Sequence, residues 1–150
     1  MSDEARAELI DRWSAAAQAY LDGDLRTYAR LANHASEYLL MPPYGGDPRP
    51  GFDGSDEAVD WLARTFHGGT AQVEVFGAYA SGDLAVLVIV ERQHGAVGEL
   101  PSQDWSMRVT LVFRREGGDW RLLHRHADPL TRPIDPDLFG AIARGEHTAQ

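Results

Sequence analysis

The chain has no cysteine among its 150 residues, which excludes disulfide bridges and zinc–thiolate centres and fits a cytoplasmic location. Lysine is missing too. All 14 residues of the Lys and Arg class are arginine, as a GC-rich genome would give, and Schiff-base lysine chemistry is ruled out. Long apolar runs are absent: the richest stretch, Leu84 to Val90, is far too short to span a bilayer, so no membrane partner is expected. Positive charge is scarce, with a formal net charge of −9, and this argues against nucleic acid, whose binding depends on neutralising phosphates. The acidic, polar opening MSDEARAELI reads as neither a signal nor a transit peptide. No phosphate-cradling glycine loop, dinucleotide fingerprint or nucleophile elbow occurs, and no cofactor is expected.

What remains is the size of one domain with a real core. We expect it over residues 1–130, with a tail over 131–150 that carries a short helix from Asp135 to Arg144. Ile10, Trp13, Ala17 and Tyr20 recur at helical spacing and predict a first amphipathic helix. Asp22-Gly23-Asp24 breaks it, and Asp24 caps a second helix with Leu25, Tyr28 and Leu31 inward. Glu37 to Met41 reads as a strand stopped by Pro42-Pro43, and Tyr44 to Gly54 as a loop. Ser55 opens a third helix with Val59, Leu62 and Phe66 inward and Trp61 beside them, closed by Gly68-Gly69.

Four strands follow, at about 70–80, 84–94, 103–116 and 119–127, with hairpin turns at Ser81-Gly82-Asp83 and Gly117-Gly118-Asp119. The order ααβαββββ predicts an α+β fold, a cone-shaped curved antiparallel sheet packed against three helices from the N-terminal half. The open end of such a cone is a natural ligand cavity.

The helix pair AYLDGDLRTYARL, the segments EYLLMPPYGG and GFDGSDEAVDWL, and above all RVTLVFRREGGDWRLLHRHADP resemble the nuclear transport factor 2-like superfamily. Within it, the chain is most similar to the SnoaL-like, ketosteroid-isomerase-like branch over residues 5–130. That resemblance implies the cone fold, a pocket inside it and a homodimer formed through the outer sheet face. It does not imply one reaction, because unrelated activities share the scaffold. The steroid isomerases use a carboxylate base near the end of the first strand, where this chain has Leu40 and Met41, and a protonated aspartic acid that the Trp105 to Val112 strand lacks. Their mechanism is therefore not expected here.

The ionisable residues of the last strands are the candidates for chemistry. His124, His126 and Asp128 alternate, so on an unbroken strand they share a face with Trp120 and Leu122. A histidine beside a carboxylate is held in one tautomer and suits proton transfer. On this reading His126 with Asp128 moves a proton, and Arg108 or Tyr38 stabilises negative charge. The opposite face carries Arg121, Leu123, Arg125 and Ala127. One β-bulge would exchange the faces, making Arg125 an anion anchor and sending the histidines to a subunit interface.

Arg108 sits mid-strand among Ser106, Thr110 and apolar neighbours, and Glu91 on the adjacent strand is its expected partner. Tyr38, Trp61, Trp105 and Phe113 supply wall, with polar tips on Tyr38 and Trp105 suited to a half-wet pocket. His124, His126, Asp128 and Glu91 offer metal donors, but histidines at i and i+2 recur without metal and none is expected. His34, His67, His94 and His147 are expected at the surface. The expected partners are a mostly apolar organic ligand with a carbonyl, hydroxyl or carboxylate, acted on by isomerase, cyclase or dehydratase-type acid–base chemistry, and a second copy of the chain. The alternative is a non-catalytic dimerisation, ligand-sensing or assembly module whose Val86, Val88 and Val90 form an apolar interface.

Overall fold

A computed structural model describes residues 1–146. Each helix within them is opened by a side chain that satisfies an otherwise unpaired backbone amide. Ser2 accepts from Ala5 ahead of α1 (Asp3–Leu21), Asp24 from Thr27 ahead of α2 (Leu25–Ala32), and Ser55 from Ala58 ahead of α3 (Asp56–Thr65). Asp135 accepts from Leu138 ahead of α4 (Pro136–Ala143). At the end of α2 Asn33 adopts a left-handed φ of 54°, and its carbonyl accepts from Leu122 at 2.9 Å. Its side-chain amide donates to the Trp120 carbonyl at 3.1 Å. One residue thus turns the chain straight into β1 (His34–Met41), beside the last strand.

The sheet runs β2 (Arg49–Pro50), β1, β7 (Asp119–Pro129), β6 (Met107–Glu116), β4 (Leu84–Val97), β3 (Phe66–Ser81), with β5 (Gln103–Asp104) added to β4. β1 and β7 are parallel and all other pairs antiparallel. This mixed sheet curves, unclosed, around the helices, giving the α+β cone. Alternation is plainest on β4, where Ala85, Leu87, Ile89, Glu91 and Gln93 are buried while Leu84, Val88, Arg92 and His94 face out. The inward residues of β4 and β6 meet Leu9, Trp13, Ala16 and Leu21 of α1 and Tyr28 of α2 in one core.

Several element boundaries differ from expectation, among them the start of β1, at His34 rather than Glu37, and the end of β4, at Val97. The third helix ends at Thr65, and Phe66 to Gly69 belong to β3, because Phe66 pairs with Val97 and Gly69 with Gly95. The anticipated 103–116 strand is interrupted: Asp104 accepts from the Ser106 amide at 2.7 Å, a local side-chain turn that competes with the ladder. At Gly69 the backbone has φ +139°, and a Cβ would collide with the carbonyl oxygen of His94. Gly69→Ala is therefore expected to cost about 1–3 kcal/mol from backbone strain, with the steric clash added. Gly98, at φ +59° with open space around it, is the control. Thermal unfolding of the two variants compares them, and an equal loss at both positions would refute the crowding.

Candidate functional site

A buried polar cluster sits inside the cone, on the inner face that is otherwise apolar. Glu91 lies at its centre. Its Oε1 accepts from Trp13 Nε1 at 2.9 Å, and its Oε2 accepts from Gln93 Nε2 at 2.9 Å and from Arg125 Nη2 at 3.4 Å. Arg125 is 13 % exposed at the side chain and Glu91 is fully buried. Burial opposes the arginine's charge most strongly, but the Glu91 carboxylate together with Tyr28, Tyr38 and Tyr20 outweighs it and leaves the pKa raised. The guanidinium Nε has no hydrogen-bond partner within the protein.

Aromatic rings pack around this ion pair. Tyr28 lies edge-on to Trp13 and Tyr20, and Tyr20 edge-on to Phe66. His34, at the start of β1, stacks flat on Phe52 at 3.9 Å and meets Tyr38 edge-on at 4.4 Å. Burial, with Arg125 nearby, pushes the His34 imidazole down to about 4, so it is neutral at pH 7. Its Nε2 is buried and unpartnered. Burial pushes the Tyr38 hydroxyl up to about 12 and raises Tyr20 and Tyr28 as well, so all three stay protonated.

The faces of β7 are exchanged partway along the strand. Phe113 pairs with Leu122, but Val112 pairs with His124, so Leu123 is an extra residue in a bulge. Before it Leu122 is buried; after it the buried residue is Ala127, with Arg125 on its face. The expectation that His124, His126 and Asp128 share a face with Trp120 and Leu122 is therefore overturned. These three lie on the outer side with Arg108, which pairs in register with Asp128. Glu91 is not the partner of Arg108, since it faces inward to Arg125.

On the outer side His126 Nε2 and Asp128 Oδ2 are 3.4 Å apart and both half exposed. His124 Nδ1 lies 2.7 Å from the Leu39 carbonyl, which can only accept, so that nitrogen carries the ring proton. Arg108, His126 and Asp128 border an open depression of about 410 Å³ whose apolar part includes Phe76, Val88 and Val90.

Of the wall residues, Tyr38 belongs to the inner cluster and Phe113 to the apolar core. Trp61 is half exposed and rests edge-on against Phe66. Trp105 donates its indole N–H to the Gly95 carbonyl at 2.9 Å and its backbone amide to the Gln93 carbonyl at 2.8 Å, beside β5. His34, expected at the surface, is the functional candidate missed from sequence. Its signal was Asn33, a residue suited to a left-handed helix end, which would have started β1 one residue later. His147 lies outside the described residues. Among those residues no group of three or more His, Cys, Asp or Glu side chains is arranged to hold a metal ion. Among the described residues no helix is long and apolar enough to cross a membrane.

A model of the SnoaL-like domain matches residues 7–130. The chain belongs to the SnoaL-like domain family. Solved structures agree on the scaffold of this SnoaL-like domain. A nuclear transport factor 2-like superfamily protein from Salmonella enterica serovar Typhimurium LT2 superposes with a TM-score of 0.74 at 14 % identity, covering 91 % of this chain and 99 % of that one. A Streptomyces avermitilis protein named as a candidate dehydratase gives 0.64 at 18 %, covering 87 % and 100 %. The association domain of CaMKII from C. elegans gives 0.62 at 14 %, covering 83 % and 95 %. At these identities the likeness shows the fold alone. No curated protein sequence matches the SnoaL-like chain.

Proposed function

We propose that this SnoaL-like domain binds a small, mostly apolar organic acid inside the cone, held by its carboxylate on Arg125. The observation that carries the reading is the buried guanidinium whose Nε finds no acceptor, beside a neutral His34 whose Nε2 is also free. Buried polar groups are nearly always satisfied, and two convergent exceptions mark a place that a ligand completes. Tyr20, Tyr28, Tyr38, Trp13 and Phe52 give that place aromatic walls. Entry requires Phe52, which an irregular loop carries, to swing off the His34 ring. Acid–base chemistry of the isomerase, cyclase or dehydratase kind would fall to His34 Nε2 as proton acceptor, with Arg125 stabilising the developing negative charge.

Benzoate and benzamide test this. They have the same shape, but only the acid presents a charged oxygen pair. At about a hundred times its dissociation constant a ligand adds about 2.7 kcal/mol, or roughly 5–10 °C in melting temperature for a chain of this size. Benzoate is expected to give such a shift and benzamide little. The paired variant Glu91→Gln with Arg125→Met, which removes both charges together, is expected to abolish it. Equal shifts with acid and amide, or an unchanged response in the variant, would sink the proposal.

A second reading rests on the outer sheet face, where Phe76, Tyr79, Leu84 and Val88 are exposed. We infer that two copies pair there, as suits an apolar patch on a protein whose relatives include an association domain. Light scattering that returns a monomer at micromolar concentration would remove it.

A further inference from the structure

The C-terminal helix and the outer depression are two uncovered apolar surfaces of the same chain. In α4, Leu138, Phe139 and Ile142 are 45 %, 67 % and 47 % exposed, and no residue of the helix is buried. At i, i+1 and i+4 they share one side of the helix. An isolated helix of this length is marginal in water, whatever its cap, so a receiving surface is what would stabilise it.

The depression on the sheet has matching chemistry. Phe76, the residue expelled by the bulge between Val75 and Gly77 of β3, is 63 % exposed and lines the depression together with Val88 and Val90. Arg108 at its rim has no ion-pair partner among the described residues, whereas Asp128, also at the rim, lies 3.4 Å from His126. The α4 segment starts with Asp135 and Asp137 and carries no base until Arg144. An apolar helix with an acidic leading end thus complements an apolar depression with a free guanidinium.

We propose that α4 seats in the outer-sheet depression of a second copy of this chain, and that the exchange is reciprocal. The chain leaves its own depression behind: the Leu130 amide donates to the Ser106 carbonyl at 2.9 Å, extending β7 past the row that holds Arg108 and Asp128. Pro133 then holds Arg132 extended, which disfavours a reversal onto the parent sheet. Reciprocity matters because one short helix buries too little for a specific complex, whereas two related by a twofold axis double the area and close the assembly. The inference is independent of the pocket reading. It competes with direct pairing of the sheet faces, because Phe76 and Val88 would be covered by the partner's helix.

The absence of cysteine makes the test clean, since any introduced thiol is the sole thiol of its chain. Chains carrying Phe139→Cys and chains carrying Val88→Cys, distinguishable by a mass tag, are mixed and oxidised. The expected product is the mixed cross-linked dimer, while Leu100→Cys, exposed at the β4–β5 turn, gives none with Phe139→Cys. Phe139→Asp is expected to weaken dimerisation by about tenfold or more with its melting profile as a dilute monomer unchanged. A double-cysteine chain that cross-links only within itself would overturn the proposal. So would dimers that persist at full strength in Phe139→Asp without any mixed cross-link, a result that leaves the pocket and the sheet-face pairing standing.

Discussion

Glu91→Ala is expected to lower the melting temperature by about 6–20 °C. The range follows from about 3–5 kcal/mol for breaking a buried ion pair on one side and roughly 2–4 °C per kcal/mol for a chain of this size. The carboxylate accepts from Trp13, Gln93 and Arg125 together, so its removal strands three donors in a dry interior. The largest part of the loss comes from the guanidinium, left without a counter-charge. A double variant, Glu91→Leu with Arg125→Met, is therefore expected to be substantially more stable than Glu91→Ala alone, because it removes the stranded charge with its partner. Differential scanning calorimetry on the three proteins checks both statements. A Glu91→Ala protein melting within about 2 °C of wild type would show that the charge reaches water, and the buried pair would lose its meaning.

The second large effect is acid sensitivity traceable to His34. Its folded pKa, about 4, lies below the ordinary value of 6.5. Above pH 6.5 the imidazole is neutral in both folded and unfolded chains and costs nothing. Between pH 6.5 and 4 the unfolded chain takes up a proton that the folded chain refuses, so stability falls with pH. Below 4 both are protonated and the loss is complete. The difference of about 2.5 units corresponds to roughly 3 kcal/mol. His34→Phe keeps an aromatic ring against Phe52 and Tyr38 but has nothing to protonate. Denaturant unfolding at pH 7.5 and pH 4.5 should show wild type losing about 2.5 kcal/mol more than the variant, with acid effects on surface carboxylates common to both. Parallel losses in the two proteins would place His34 in contact with water.

Much of the scaffold was legible because local chemistry and global pattern agree. Asp24 and Ser55 do cap helices, the glycine turns at Gly82 and Gly117-Gly118 do join strands, and Val86 and Val88 do alternate with buried Leu87 and Ile89, although Val90 is buried as well. The site was less legible, and for an identifiable reason. From sequence Glu91 is the expected partner of Arg108, but Arg125 takes it, and only the face that β7 presents decides between the two arginines. The bulge at Leu123 contains no glycine or proline to announce it. β1 hides a similar irregularity: its pairing with β7 shifts between His34 and Leu39, and Ala35 and Tyr38, three residues apart, are both buried. Side-chain parity along these strands is thus a tertiary property, set by the packing of core residues on either side of the shift.

The extra residue in β7 also makes the lining of the cone a matter of counting. Shortening that strand by one position at Leu123 would rotate everything downstream by half a turn, bringing an imidazole–carboxylate array inward and delivering the guanidinium to the outside. Proteins built on the same scaffold could therefore move between anion-gripping and proton-shuttling interiors through a single-codon deletion, with no change in the amino acids themselves.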